Sequence, residues 1–590
     1  MRNGSTIARV FEVVRLEYKM ERRIGGSREV PLFTAAMLLT VLGAVVVARA
    51  APRPQSSAAP SFSADRLLAH IRVLSSNEFQ GRGPGTEGET KTIAYLQEHY
   101  RAAGLEPGNP DGTYLQNVPL VGIRPDPNME MTFAGHGKTI HAAYRDDFVA
   151  VTRRVADSVT LDAPMIFVGY GVQAPEYKWD DFKGVDVKGK VIVVLVNDPP
   201  VTKGNPPVLD DAMFGGKAMT YYGRWTYKYE KAAELGAAGC LIVHETAPAG
   251  YPWEVVRNSW SGESFSLQSA DKGMGRAAAE GWISHEKARE IFGAAGLDYE
   301  NLKQQAATRD FHPVLLGMNA HLEIHNTIRT IDSHNVIAKR TGSDPVLKNQ
   351  YVIYTAHWDH FGIGPPVNGE NIYHGAADNA SGTAALLEIA RAYAELKTAP
   401  RRTILFISVT AEEQGLLGSE YYATHPLYPL ARTAADINMD GMNTWGRTHD
   451  ILEIGMGKST LDEVAAQAAQ DQGRVVRPDA EPEKGFYYRS DHFSFAKVGV
   501  PALDPDSGSD YLGKPPGWGM MKKNEYTAND YHKPSDVIKP DWDLSGAAED
   551  SQLYFEIGDR IANADQMPEW KAGAEFKAIR EASLRSQAAQ

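Results

Sequence analysis

The chain has 590 residues, 43% hydrophobic and 23% charged, which is the balance of a folded globular protein and too long for one core. Its net charge of -13 excludes the basic surface that a nucleic-acid partner requires. Its one cysteine, Cys240, excludes an internal disulfide and a thiolate zinc cluster, so a metal site has to draw on His, Asp and Glu.

The first segment reads as a targeting signal. The basic "ERRIGGSREV" precedes "PLFTAAMLLTVLGAVVV", an apolar run of 17 residues, and Ala48-Arg49-Ala50 then fits the small-x-small rule of signal peptidase. Residues 1–50 are therefore expected to be an N-terminal extension, which runs up to Met20, and a signal peptide. The protein is expected in a periplasm or outside the cell. An uncleaved anchor is the alternative, and the one route to a membrane, because the run is near the ~17-residue lower limit of a span. Residues 51–62, opening "APRPQSSAAPS", read as a flexible linker.

Leu67, Leu68, Ile71 and Leu74 in "SADRLLAHIRVLSS" predict a helix, "GRGPGTEGET" a glycine-rich turn, and "KTIAYLQEHYRAAGLEPG" an amphipathic helix stopped by Gly104. From 126 to 330 the texture changes. "APMIFVGYGV", "GKVIVVLVNDPP" and "AAGCLIVHE" are short β-rich runs, with "YEKAAELGA" a helix between two of them, so this segment reads as an inserted domain. From 331 to 565, "YVIYTA", "TILFISVT" and "AADINM" are near-continuous apolar runs, as expected of strands covered on both faces. Leu386, Ile389, Ala390 and Tyr393 place a helix between the first two, with Ser381 as its cap. The expectation is an α/β fold: a mixed, mainly parallel central sheet flanked by helices, formed by 63–125 and 331–565. Residues 566–590 read as a charged, solvated terminal helix.

Open α/β sheets place ligands at the carboxyl ends of their strands. There the sequence sets His357-Trp358-Asp359 after "YVIYTA", Glu412-Glu413 after "TILFISVT" and Asp440 after "AADINM". Asp378 opens "DNASG" before the helix, and Tyr531-His532 lie in the loop "NDYHKPSD". Singly, each has an ordinary role as a hydrogen-bonded histidine, a solvated turn or a helix cap. Jointly, several carboxylates converge on one sheet edge, and such repulsion is costly without a cation. Two histidines with several carboxylates and no cysteine suit a hard or borderline divalent ion, zinc foremost. Asp359, two residues beyond His357, could orient its imidazole.

The set "HWD", "DNASG", "EEQGLLGS", "NMDG" and "YHKPSD", with "RGPGTEG" and "SDHFSFAKVGVPAL", resembles the two-zinc aminopeptidase family, which includes relatives of glutamate carboxypeptidase and the transferrin receptor. The resemblance covers about 63–125 and 330–560, and the segment between looks like a protease-associated domain. It implies two zinc ions per chain and a metal-bridging water. Asp378 would bridge the ions, His357 and Asp440 would complete one site, and Glu413 and His532 the other. Glu412 would be the general base and Tyr531 a stabiliser of the oxyanion. A cis bond at Asp378–Asn379 is also implied. The expected activity is release of N-terminal residues from peptides with a free N-terminus. A dipeptidase, a glutamate-carboxypeptidase-like enzyme and a non-catalytic receptor-like binding protein are the rivals. His360, His374 and His425 are left over; His360 could line the cleft but is read as a loop residue, and Arg489 is read as reaching a substrate carboxylate or carbonyl, or as making a surface salt bridge.

Overall fold

The structure, a computed structural model, describes residues 60–588. The signal segment and most of the linker read from the sequence lie outside the described residues. Among the described residues no helix is long and apolar enough to cross a membrane.

Two helices open the fold, α1 (Ala64–Leu74) and α2 (Glu87–Ala102). The second begins inside the stretch read as a turn, because Thr86 accepts a capping hydrogen bond from the Gly88 amide. Strand β1 (Leu115–Pro125) follows, and after the inserted segment comes β2 (Val314–Arg340). Then come β3 (Tyr351–His357), helix α3 (Gly382–Glu395), β4 (Thr403–Val409), helix α4 (Leu417–Thr424) and β5 (Thr433–Asn438). Strands β6 (Asp450–Ile454), β7 (Val475–Pro478) and β8 (Ala502–Asp506), and helices α5 (Trp518–Asn529) and α6 (Ser545–Asn563), complete this part.

The sheet order is β1-β2-β4-β3-β5-β8-β6-β7. Strands β4, β3, β5 and β8 are parallel to one another, whereas β1–β2, β2–β4 and β8–β6 are antiparallel, so the sheet is mixed. Every residue of β3, β4 and β5 is buried, because both faces are covered. Val352, Tyr354, Phe406 and Ile437 face α1, α2, α3 and α6, and Ile353, Leu405 and Ile407 face the layer holding Tyr422, Phe495 and Trp570. Leu386, Ile389, Ala390 and Tyr393 of α3 are all fully buried, as their spacing predicts.

The inserted segment builds a second sheet. Strands 158–167, 191–195, 239–244 and 279–284 lie parallel in that order, each beside the next, over apolar clusters of their own. The first half of β2 pairs with this sheet and its second half with the main sheet. The sequence boundary at 330/331 therefore falls inside one continuous strand, where the alternation of buried and exposed residues shifts phase at the adjacent exposed residues Arg329 and Thr330.

Two further expectations are corrected. Ser381 precedes α3 but makes no capping bond; its Oγ donates to the Ala377 carbonyl and accepts from the Met442 amide. The tail is not simply solvated. Trp570 and Phe576 are buried, and Arg580 donates to the carbonyls of Leu430 and Thr433 at 2.9 and 2.8 Å.

Candidate active site

Because β3, β4 and β5 are mutually parallel, their carboxyl ends share one edge, which brings His357, Glu412, Glu413 and Asp440 together. Asp378 comes from the irregular stretch Ala376–Ser381 leading into α3, and the Asp378–Asn379 peptide bond is cis. Asp536 holds that stretch: its carboxylate accepts from the amides of Ala377 and Asp378 at 3.0 and 3.1 Å. Asn379 ties it to the Asp440 loop, donating to the Met439 carbonyl and accepting from the amides of Gly382 and Gly441, each at 2.9 Å. Gly382 is required by this approach, since a Cβ there would lie 2.2 Å from Asn379 Oδ1 and 2.4 Å from the Met439 carbonyl oxygen.

His357 Nε2 lies 3.0 Å from Asp440 Oδ1 and 3.3 Å from Asp378 Oδ1. His532 Nε2 lies 3.3 Å from Asp378 Oδ2 and 3.2 Å from Glu413 Oε2. Asp378 thus presents one oxygen to each histidine. His357, Asp378 and Glu413 offer ligand atoms that all lie within 4.8 Å of one another. The Glu412 carboxylate comes within 4.0 Å of His357 Nε2. Ser490 donates to Asp440 Oδ2 at 2.7 Å.

His357 Nδ1 donates to the Asp359 main-chain carbonyl at 3.2 Å, so Nε2 carries the lone pair in the neutral tautomer. That lone pair faces two carboxylates, an arrangement that calls for a cation between them. The Asp359 carboxylate differs from expectation: it stands 3.8 Å from Nδ1 and accepts instead from the Glu412 amide at 3.1 Å. Asp359 positions His357 through its backbone and Glu412 through its side chain.

The electrostatics agree. Burial pushes the Glu412 carboxyl well above the usual carboxylate range, and Asp440 and Asp491 push it further against the pull of His357. Burial, then Asp378 and Glu412, does the same to Glu413. Burial opposes charge on His357, but Asp440, Glu412 and Asp378 outweigh it and hold its pKa well above the ordinary value. Burial takes Asp491 to about 7 and Asp536 to about 7. The donor set of imidazoles and carboxylates fits a divalent ion beside Asp378.

Two residues of the site escaped the sequence reading. His360, read as a loop residue, is buried, and its Nδ1 bonds Glu413 Oε1 at 2.5 Å. Its place three residues after His357 was the available signal. Arg82 is fully buried beneath the site and donates to the carbonyls of Leu74, Trp358, His374 and Gly375 at 2.7–2.8 Å. His374 and His425 stay outside, the first bonding the Ser75 carbonyl and the second stacking on Tyr421.

A cavity of about 440 Å³ opens on these groups, lined by Asp378, Glu412, Asp440, Arg489, Tyr531 and His532. Tyr531 stacks on His532 at 3.7 Å between ring centroids, and its hydroxyl makes no hydrogen bond among the described residues. Helix α5 and Tyr251 of the inserted segment also line the cavity.

Residues 335–555, which carry every one of these groups except Arg82 and Tyr251, match the model of peptidase family M28. The chain is 35% identical over 162 residues to a "Probable zinc metalloprotease" of Pyrenophora teres f. teres, covering 27% of this chain and 28% of that protein. It is 38% identical over 129 residues to "Aminopeptidase NAALADL1" of Mus musculus, covering 21% and 16%. "Aminopeptidase YwaD" of Bacillus subtilis is 29% identical over 212 residues, covering 35% and 40%. The chain thus spans less than half the length of each of these relatives. An aminopeptidase from Aneurinibacillus sp. strain AM-1 has the same fold, with a TM-score of 0.50 at 19% identity over 86% of this chain and 96% of that one.

Proposed function

We propose that the protein is an exported, zinc-dependent aminopeptidase that releases N-terminal residues from peptides. The observation that carries this reading is Asp378, whose two oxygens face His357 and His532 at 3.3 Å each. His357 and Asp440 would hold one zinc ion, Glu413 and His532 the second, and Asp378 would serve both. Bound there, zinc would polarise the scissile carbonyl and lower the pKa of water toward about 7.

Glu412 is the general base. It reaches the cleft from the end of β4, takes a proton from the attacking water and passes it to the leaving amine. The Tyr531 hydroxyl, which makes no hydrogen bond among the described residues, donates to the carbonyl oxygen as charge develops on it. Asp440 and Glu412 attract the protonated α-amine and so fix the first peptide bond over the site. The inserted 126–330 segment, read as a protease-associated domain, contributes Gly250, Tyr251 and Val255 to the cavity wall. Export rests on the apolar segment and small-x-small site of residues 31–50.

The test compares free and N-acetylated peptides with the zinc-loaded full chain. Acetylation should reduce kcat/KM by roughly 10²-fold, because the acidic groups lose the amine that neutralises them. Equal cleavage, or release from the carboxyl end, would overturn the aminopeptidase reading. Absence of both zinc and hydrolysis would overturn the whole assignment.

A further inference from the structure

The cavity wall carries one cation whose charge nothing answers. Five basic side chains line it: Lys484, Arg489, Lys522, Lys523 and Lys539. The four lysines are paired, with Glu481 at 2.7 Å, Glu525 at 2.8 Å, Asp506 at 2.7 Å and Asp530 at 3.0 Å respectively. The Arg489 guanidinium has no carboxylate and no side-chain hydrogen bond among the described residues. It lies only against two rings, Phe486 at 5.2 Å and Tyr251 at 5.6 Å.

A second unpaired guanidinium comes from the inserted segment. Arg224 has a buried Nε without a partner and stacks on Trp225 at 5.0 Å. Burial and then the charge of Arg489 lower its pKa, so the two cations feel each other, and Tyr251 and Tyr531 act on it as well. The inserted segment also grips the loop before Arg489. Met219 donates to the Pro482 carbonyl at 3.0 Å, Lys217 to that of Ala480 at 3.1 Å, and Asn197 to that of Glu483 at 3.3 Å. Arg489 thus presents an unpaired guanidinium to a cavity whose four lysines are all matched, so an anion entering the cavity would find its partner there. A guanidinium fork matches a carboxylate through two parallel hydrogen bonds.

We propose that Arg489, backed by Arg224, binds a carboxylate of the peptide substrate beyond its first residue, so that the cavity selects short peptides by both charged ends. This rests on the peptidase reading above. The carboxylate is the C-terminus of a dipeptide or an acidic second side chain. The acidic floor of Glu412 and Asp440 takes the amine, and the basic wall takes the carboxylate.

The zinc-loaded full chain is tested with Leu-Leu and its C-terminal amide, and with Leu-Glu amide against Leu-Gln amide. The carboxylate peptide of one pair should be preferred by at least about tenfold in kcat/KM, the range of a charge-assisted hydrogen bond. The pair that responds identifies the carboxylate. Arg489→Ala should bring that ratio near one, Arg489→Lys should keep part of it, and Arg224→Ala should reduce it. If the wild-type protein cleaves none of the four, calorimetric binding of the same peptides reads the same ratio. A preference in binding without cleavage would keep the carboxylate site and remove the peptidase reading. Ratios near one in the wild-type protein, or an unchanged preference in Arg489→Ala, would overturn the proposal.

Discussion

His532 Nε2 lies 3.3 Å from Asp378 Oδ2, the oxygen that His357 does not face. Under the two-zinc proposal, a carboxylate divided in this way between two imidazoles would be the ligand that both ions share. Asp378→Asn replaces one of those oxygens with an amide nitrogen, which donates and cannot bind a cation. Metal analysis should find about two zincs per chain in the wild type and a loss of both sites in the variant. Full occupancy in Asp378→Asn would remove the bridging role.

The adjacent glutamates should separate cleanly. Glu413 is 3.2 Å from His532 Nε2 and bonded to His360, whereas Glu412 has neither contact. Glu412→Gln should retain its zinc and lose at least ~10²-fold in kcat, as expected for a lost general base. Glu413→Gln should lose zinc from one site. The reverse pattern would exchange their roles.

His360 should behave as a support for Glu413. His360→Phe keeps a ring in the buried space and removes the Nδ1 bond of 2.5 Å. Titration against a competing chelator should show zinc affinity falling by roughly 10–100-fold, the usual cost of losing a group that orients a ligand. An unchanged affinity would make the bond incidental.

Away from the site, His70 gives a pH-dependent stability. Burial, and next the neighbouring His99, lower its pKa to about 4, while Tyr95 OH bonds its Nδ1 at 2.7 Å. Above the unfolded value of about 6.5 the ring is neutral in both states. Between about 6.5 and 4 the unfolded chain takes up a proton that the folded chain refuses, so stability falls as pH drops through that window. From pH 7 to 4.5 the loss should be about 2–3 kcal/mol larger in the wild type than in His70→Asn, measured by urea unfolding. Equal losses in the two proteins would show that His70 titrates normally.

What the sequence determined by itself was the periodic pattern of the main elements. Continuous apolar runs gave β3, β4 and β5, and the 3.6-residue spacing of Leu386, Ile389, Ala390 and Tyr393 gave α3. Since ligands gather at strand ends, those runs also pointed to His357, Glu412, Glu413 and Asp440. The tertiary structure decided what depends on residues distant in the chain. Arg82 reaches Trp358 and His374, 276 and 292 positions away, and Asp536 holds the Asp378 amide across 158. Arg489 comes to lie against Tyr251 only because the inserted segment packs on the loop at 480–486. No periodicity marks such pairs: hydrogen bonds and charges act over a few ångströms of space, and the separation along the chain carries no record of that distance.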